Sequence, residues 1–319
     1  MIRMADSNVK VVVLYTHNVS RAIRVHELPR PGETVRSIGY SEGIDGAKGT
    51  DVAVALGRLG IPTALVAHVR RGDWLAQGHE ILSAAGVDDS SISDYFDPSY
   101  SRGAMFIDDH GNNMIVLSSG KQRFPRELME TALDKFPGAE YCVTGHELGE
   151  EGVRDAVLAA HSRGLKVLLN PSPVPDAIPD FWNKVDIIIL NEHELMRLLA
   201  DDGALDSDEK AGDSLIRFTE LSGCRAVVLT LGEKGYMLYD GSSIAFGCGT
   251  HVENVIDTSG AGDGFLAAMT AALVKGMSLA DACGWANRYS SIGIQREGTI
   301  TCCPLLDEAE AVAGPLGRR

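Results

Sequence analysis

Nine consecutive residues, Asp257-Thr258-Ser259-Gly260-Ala261-Gly262-Asp263-Gly264-Phe265, carry the clearest chemistry in this 319-residue chain. They lie between residues 251–256, read as a short strand, and the apolar residues 265–274, read as a helix. A strand, a turn of small residues and a helix start direct free backbone N–H groups at one point, with the positive end of the helix dipole behind them. That arrangement binds anions. Gly260, Ala261 and Gly262 let a phosphate approach the backbone closely. Asp263 adds a carboxylate in the same turn, which would repel a phosphate unless it has a role of its own. The role that fits is accepting a proton from a hydroxyl as it attacks a γ-phosphoryl group. A capped helix start behind a tight turn is the plainer reading, and this segment alone does not decide between the two.

Three further segments bear on the choice. Gly46-Ala47-Lys48-Gly49-Thr50-Asp51 opens a helix expected over residues 50–59, and flexible backbone with a polar residue directed back suits a hydroxyl-rich ligand. Asn191-Glu192-His193-Glu194 follows an apolar strand at 185–190, at the carboxyl edge where α/β ligand sites lie. There Asn191 is placed to contact phosphates and Glu194 to hold magnesium through water, since magnesium keeps much of its hydration. Thr230-Leu231-Gly232-Glu233-Lys234-Gly235 also follows a strand, and its glycines let a nucleotide lie against backbone. Each has a plain alternative: a glycine-rich connector, a capped helix and a glycine turn, respectively.

The elements that must position these residues alternate along the chain. Apolar strands are expected at 11–14, 63–68, 141–144, 166–170, 185–190 and 226–230. Helices are expected at 50–59, 74–85, 151–163, 192–199 and 214–221. Strands apolar on both faces and separated by helices form a parallel sheet covered on both sides. Two stretches break the rhythm, 21–46 and 101–117, where short alternating segments surround a His110-Gly111-Asn112 turn. They are expected to form a small separate sheet over the carboxyl edge of the main one. The acidic residues 201–213 read as a solvated loop.

Composition narrows the function classes. The 29 basic and 44 acidic residues leave a formal charge of −15, which argues against general binding to nucleic acid or to anionic membranes. No apolar run reaches the roughly 18 residues of a membrane span, and the first ten residues lack the pattern of a secretory signal. Six cysteines without a C-x-x-C pair read as reduced thiols, and a cytoplasmic location is expected. Nine histidines without an H-x-x-x-H spacing give no sign of a transition-metal site.

Taken together, these segments resemble the ribokinase-like (pfkB) carbohydrate kinase family, in the family's order from about Val11 to Pro304. DTSGAGDGF is similar to its carboxyl-terminal signature and GAKGTDVAVALGRLG to its amino-terminal one. PRPGETV at 29–35 is similar to the ribokinase branch, and NEHE and TLGEKG to its magnesium-associated and nucleotide-binding segments. The resemblance implies an α/β, three-layer fold with a mainly parallel central sheet and a small β-sheet lid. One kinase domain would span 1–319, with lid segments at about 19–44 and 99–120, and the lid would pair two subunits as a homodimer.

The same resemblance implies site roles. Asp263 would be the base, with Gly260, Ala261 and Gly262 as the anion hole. Asn191, Thr230, Gly232, Gly235 and Gly262 would bind ATP, with Asn287 near the adenine. Glu194 would organise Mg2+, and Asp257 with the Ser259 carbonyl would hold K+. The acceptor would meet Asn18, Ser20, Gly46, Ala47, Lys48, Asp51, Glu147 and Asp263. Ribokinase carries an Asp where this chain has Ser20 and an Asn where it has Asp51, so a sugar, sugar acid or polyol different from ribose is expected. An amine-bearing sugar is admitted, because Asp45 and Asp51 are placed to face a cation. A nucleoside acceptor ranks lower, since aromatic residues make up only 6% of the chain and give little stacking surface. A non-catalytic sugar- or nucleotide-binding regulator ranks lower still, because base and glycines are intact.

Overall fold

Strands with no polar face have to be covered by helices on both sides, and the computed structural model meets that requirement. It describes residues 8–17, 20–43, 47–71, 76–95, 104–116, 124–201, 203 and 205–317. The main sheet contains β1 (Val11–Leu14), β4 (Thr63–Arg70), β5 (Asp88–Tyr95), β8 (Tyr141–Gly145), β9 (Lys166–Asn170), β10 (Ile187–Asn191), β11 (Ala226–Thr230), β12 (Gly235–Tyr239) and β13 (Ile244–Cys248). Their order is β13-β12-β11-β10-β9-β8-β1-β4-β5. All neighbours from β11 to β5 run parallel, and β12 and β13 close one edge antiparallel. A smaller sheet of order β3-β2-β6-β7 stands apart, built from β2 (Ser20–Arg24), β3 (Gly39–Gly43), β6 (Ala104–Ile107) and β7 (Asn113–Val116).

Alternation along β1 shows how the layers form. Val11, Val13 and Tyr15 face a cluster with Val52 and Leu56 of α1 (Lys48–Arg58), Phe265 and Met269 of α7 (Ala261–Val274), and Trp285 and Tyr289 of α8 (Leu279–Gly293). Val12 and Leu14 face the opposite cluster. That one holds Met129 of α3 (Arg126–Asp134), Val153 and Val157 of α4 (Gly149–Ser162), and Leu215 and Phe218 of α6 (Asp208–Ser222). Each such side chain contributes about 1.5–3 kcal/mol by leaving water. This burial fixes the sheet whose carboxyl edge carries the site. The first cluster also takes in α2 (Ala76–Ala84) and α9 (Leu306–Ala313), and the opposite one α5 (Glu192–Leu198).

Three sequence expectations are corrected. Residues 251–256 form no strand; β13 already occupies the sheet edge, and the segment crosses α8 instead, where Ile256 and Asp257 donate to the Ile294 carbonyl at 2.8 and 3.2 Å. The acidic stretch 201–213 is not all loop. Helix α6 starts at Asp208 on a Ser207 cap, and buries Ala211 within that stretch. Helix α7 also begins earlier than residue 265, at Ala261, so Asp263 is its third residue. The expected helix at 74–85 is described from Ala76 onward. In the small sheet, the turn at 108–112 is tied by Asp108 Oδ1, which accepts the His110 and Asn112 N–H groups at 2.9 Å each.

Among the described residues no helix is long and apolar enough to cross a membrane. Five of the six cysteines are buried as free thiols, and Cys248 is exposed.

Candidate active site

Helices α1 and α7 start side by side at the carboxyl edge of β1. Gly49 makes the approach possible, because a Cβ there would overlap the Thr16 carbonyl oxygen and crowd the Tyr15 side chain. Lys48, the first residue of α1, thereby brings its Nζ to 3.2 Å from Asp263 Oδ1. Burial works against the Lys48 ammonium, but Asp263, Glu147 and Glu194 outweigh it and raise its pKa above the ordinary lysine value. The Asp263 side chain is 9% exposed and faces a cavity of about 410 Å³.

Three other carboxylates line that cavity: Asp51, Glu147 and Glu194. Thr299 Oγ1 donates to Asp51 Oδ1 at 2.9 Å, and Thr16 Oγ1 donates to Glu147. Burial pushes the Glu147 carboxyl up to about 7, against the opposing pulls of Lys48 and Thr16. Burial also raises Glu194, while the Asn191 N–H, Lys48 and the Ser172 hydroxyl pull it down. Glu194 and Asn191 form a reciprocal cap on α5, with Asn191 Oδ1 accepting the Glu194 N–H and Glu194 Oε2 accepting the Asn191 N–H, both at 2.9 Å. The capped-helix reading of this motif is therefore observed, and both residues also line the cavity. Asn170 lies on the same wall; its Nδ2 donates to the Ile189 carbonyl at 3.1 Å, whereas its Oδ1 is buried without a partner. Glu194, Asn191 and Asn170 offer oxygen ligands only, a set that suits hydrated magnesium.

The glycine turn divides its labour. Gly260 caps α7 in the left-handed region at φ 74°, and a Cβ there would lie 3.1 Å from Thr299 Cα. The Ala261 N–H turns back to the Thr258 carbonyl at 3.2 Å. Gly262 and Asp263, in the first turn of the helix, have no i−4 carbonyl to donate to. A Cβ on Gly262 would meet nothing within 4 Å, so the space beside its backbone is left to the cavity. Asp257 is buried and engaged on both oxygens, by the Ser259 N–H at 2.9 Å and the Gly298 N–H at 3.1 Å. Among the described residues no cluster of three or more His, Cys, Asp or Glu is arranged to hold a metal ion.

A second cavity of about 720 Å³ adjoins the first and shares Thr230, Thr258 and Gly262 with it. Gly232, Gly235, His251, Phe265 and Asn287 line it. Gly235 has a structural duty as well, since a Cβ there would overlap the Gly247 carbonyl of β13. Asn287 Nδ2 donates to the Cys248 carbonyl at 2.9 Å and so fixes the loop leaving β13. The structure thus gathers Lys48, Asp51, Glu147, Asn191, Glu194, Thr230, Ser259, Gly260, Gly262 and Asp263 around one cavity. It sets Gly232, Gly235, Ala261 and Asn287 around the other. Ala47 is buried as the cap of α1. Asn18, Asp45 and Gly46 lie outside the described residues, as does the side chain of Ser20, whose backbone pairs with Gly43.

Sequence reasoning missed Thr16, Thr299, Asn170 and Asn113. Asn170 had a usable signal, as the last residue of a parallel strand at the same carboxyl edge as Asn191. The threonines and Asn113 lie in unpatterned positions and had none.

A family model described as pfkB family carbohydrate kinase matches residues 11–306. Ribokinase of Schizosaccharomyces pombe is 30% identical over 317 residues, covering 95% of this chain and 97% of that one. Deoxyribokinase of Salmonella typhi is 25% identical over 309 residues, covering 93% and 96%. The structure of Arabidopsis thaliana ribokinase complexed with ribose and ATP superposes with a TM-score of 0.80 at 24% identity, covering 95% and 98%.

Proposed function

The chain belongs to the pfkB family of carbohydrate kinases, phosphotransferases with an alcohol acceptor, and from that premise we propose how its own residues carry the reaction. The reading is transfer of the ATP γ-phosphoryl group to a hydroxyl of a small sugar or sugar derivative related to ribose. The observation that carries it is the meeting of Asp263, Lys48 and the Gly260–Gly262 turn at the seam of the two cavities.

Asp263 takes the proton of the attacking hydroxyl, with the Lys48 ammonium lying 3.2 Å from its Oδ1. The Gly262 and Asp263 N–H groups, at the positive end of α7, face the charge that grows on the transferred group. Glu194, Asn191 and Asn170 would hold magnesium through its water shell, and the ion would supply charge neutralisation for the phosphates. ATP lies along Thr230, Gly232 and Gly235 with its base toward Asn287. The small sheet acts as a lid over the acceptor, roofing the cavity with Ala104, Met105, Ile115 and Val116, and its closure excludes water. Tyr40, Met114 and Val116 are exposed on the opposite face of that sheet, and Ile38 is exposed beside it. An apolar surface of this kind supports pairing with a second copy of the chain.

Asp51 and Glu147 give the acceptor half two carboxylates besides the base, which favours a ligand rich in hydrogen-bond donors. Sites of this kind discriminate by up to about 10⁴-fold against analogues that leave their groups unpaired. The test is ADP release across pentoses, hexoses, ketoses, sugar acids, amino sugars and nucleosides, with magnesium, with and without potassium. One strong acceptor other than ribose is expected. Ribose turnover equal to the best acceptor overturns the altered-pocket reading. Activation by potassium supports a cation at Asp257 and the Ser259 carbonyl. Elution as a monomer on size exclusion contradicts the dimer.

A further inference from the structure

The turn that opens α7 is held from two directions. The body of the protein holds its backbone: Asp257 accepts the Ser259 N–H and the Gly298 N–H, and the Gly264 N–H closes on the Gly260 carbonyl at 2.8 Å. The small sheet holds its side chains. Thr258 Oγ1 donates to the Gly111 carbonyl at 3.1 Å, and Asn113 Nδ2 donates to Ser259 Oγ at 3.2 Å. Ser259 Oγ in turn lies 3.5 Å from Met105 Sδ on β6. Gly260 has no side chain and sits in the left-handed region, so its orientation depends on the residues that flank it.

We infer that Asn113 is a positioning residue for phosphoryl transfer: through Ser259 it locks the 257–262 turn when the small sheet lies on the cleft. The inference rests on the kinase reading and adds to it a direct link between lid and phosphate site. The bond joins two segments 146 residues apart, and it is made by the residue of β7 that pairs with Ile107, beside the 108–112 turn. Opening of the small sheet removes the bonds of Asn113 and Gly111 together, and leaves the turn held only through its backbone. The N–H groups aimed at the phosphate are then less well fixed, so transfer proceeds fully only under a closed lid.

The test is a double-mutant cycle with the full-length protein and its best acceptor. Asn113→Ala and Ser259→Ala remove the same bond from opposite sides. Each is expected to lower kcat about five- to tenfold, the size of one neutral hydrogen bond, with the acceptor KM within about twofold. The double variant is expected to be no worse than the weaker single one, because the bond can be lost only once. Unchanged unfolding midpoints verify that the variants fold. A raised acceptor KM with unchanged kcat overturns the inference, since Asn113 then only shapes the acceptor wall; additive losses overturn it too. If the unaltered protein phosphorylates no acceptor, it is the kinase reading that fails. The cycle is then read from ATP–magnesium affinity, where equal, non-additive weakening supports the link and unchanged affinity refutes it.

Discussion

Helices α1 and α7 both begin with small residues at one end of the same sheet and point their N-termini into the same cavity, yet they deliver different chemistry. Helix α7 offers backbone: Gly262 is open to the cavity, and a single carboxylate, Asp263, stands behind it. Helix α1 offers side chains, Lys48 and Asp51, and uses its glycine for packing, because Gly49 lies against the Thr16 carbonyl. Backbone amides recognise any phosphate, so the α7 half can remain constant whatever the acceptor. On the proposed reading side chains recognise particular hydroxyls, so the α1 half is where a departure such as Asp51 would change the substrate without disturbing the transfer chemistry. Similar glycine-bearing segments therefore do opposite work, one opening space for a ligand and the other for a neighbouring strand.

Exchanging the two glycines for alanine tests that contrast most severely. Gly49→Ala forces α1 away from β1, and is expected to cost about 2 kcal/mol or more of stability, seen as a lower unfolding midpoint with activity lost alongside. Gly262→Ala is expected to leave the midpoint unchanged or slightly higher, because alanine is the better helix former. On the proposed reading its methyl group would occupy the phosphate approach, and kcat/KM for ATP should fall about 10- to 100-fold. Equal effects on stability from the two variants would break the comparison.

Asp51→Asn is the next largest effect expected. It keeps an acceptor for Thr299 but removes the charge. kcat/KM for the best acceptor should fall about tenfold while the ATP KM stays within about twofold. An equal loss for both substrates would mean that Asp51 supports the fold of α1 and not the choice of acceptor.

The smallest effect concerns Glu147. Its folded-state pKa, about 7, lies above the ordinary value of 4.5, so the native protein binds more protons than the unfolded chain between those limits. Stability is therefore expected to fall as pH rises through that window. Glu147→Gln should flatten this part of the curve in urea unfolding across pH 4.5–7. An unchanged slope would remove Glu147 as its source.

The frame of the molecule was legible because burial writes a strong pattern. Runs such as Ile187–Leu190 and Ala226–Leu229 are apolar on both faces and fit only a covered parallel sheet. Residues 251–256 carry a similar β-branched signal but have no free sheet edge to join, and pairing partners are not written in a local segment. Helix α6 was hidden by the charge of residues 201–213, although Ala211, Leu215 and Phe218 recur at helical spacing. At the site, glycine and carboxylate motifs stood out by composition. The Lys48–Asp263 pair joins residues 215 apart, and the hydroxyls of Thr16 and Thr299 act singly, so only the fold reveals them.

Rapid-quench transfer of radiolabelled γ-phosphate to the best acceptor, by the unaltered protein and by Asp263→Asn, tests the central claim most directly. The expected result is ATP binding within a few-fold and a transfer step slower by about 10³-fold, within the range for loss of a general base. Transfer at a near-normal rate by Asp263→Asn would contradict the account, because Asp263 is the carboxylate that lies both beside Lys48 and in the first turn of α7.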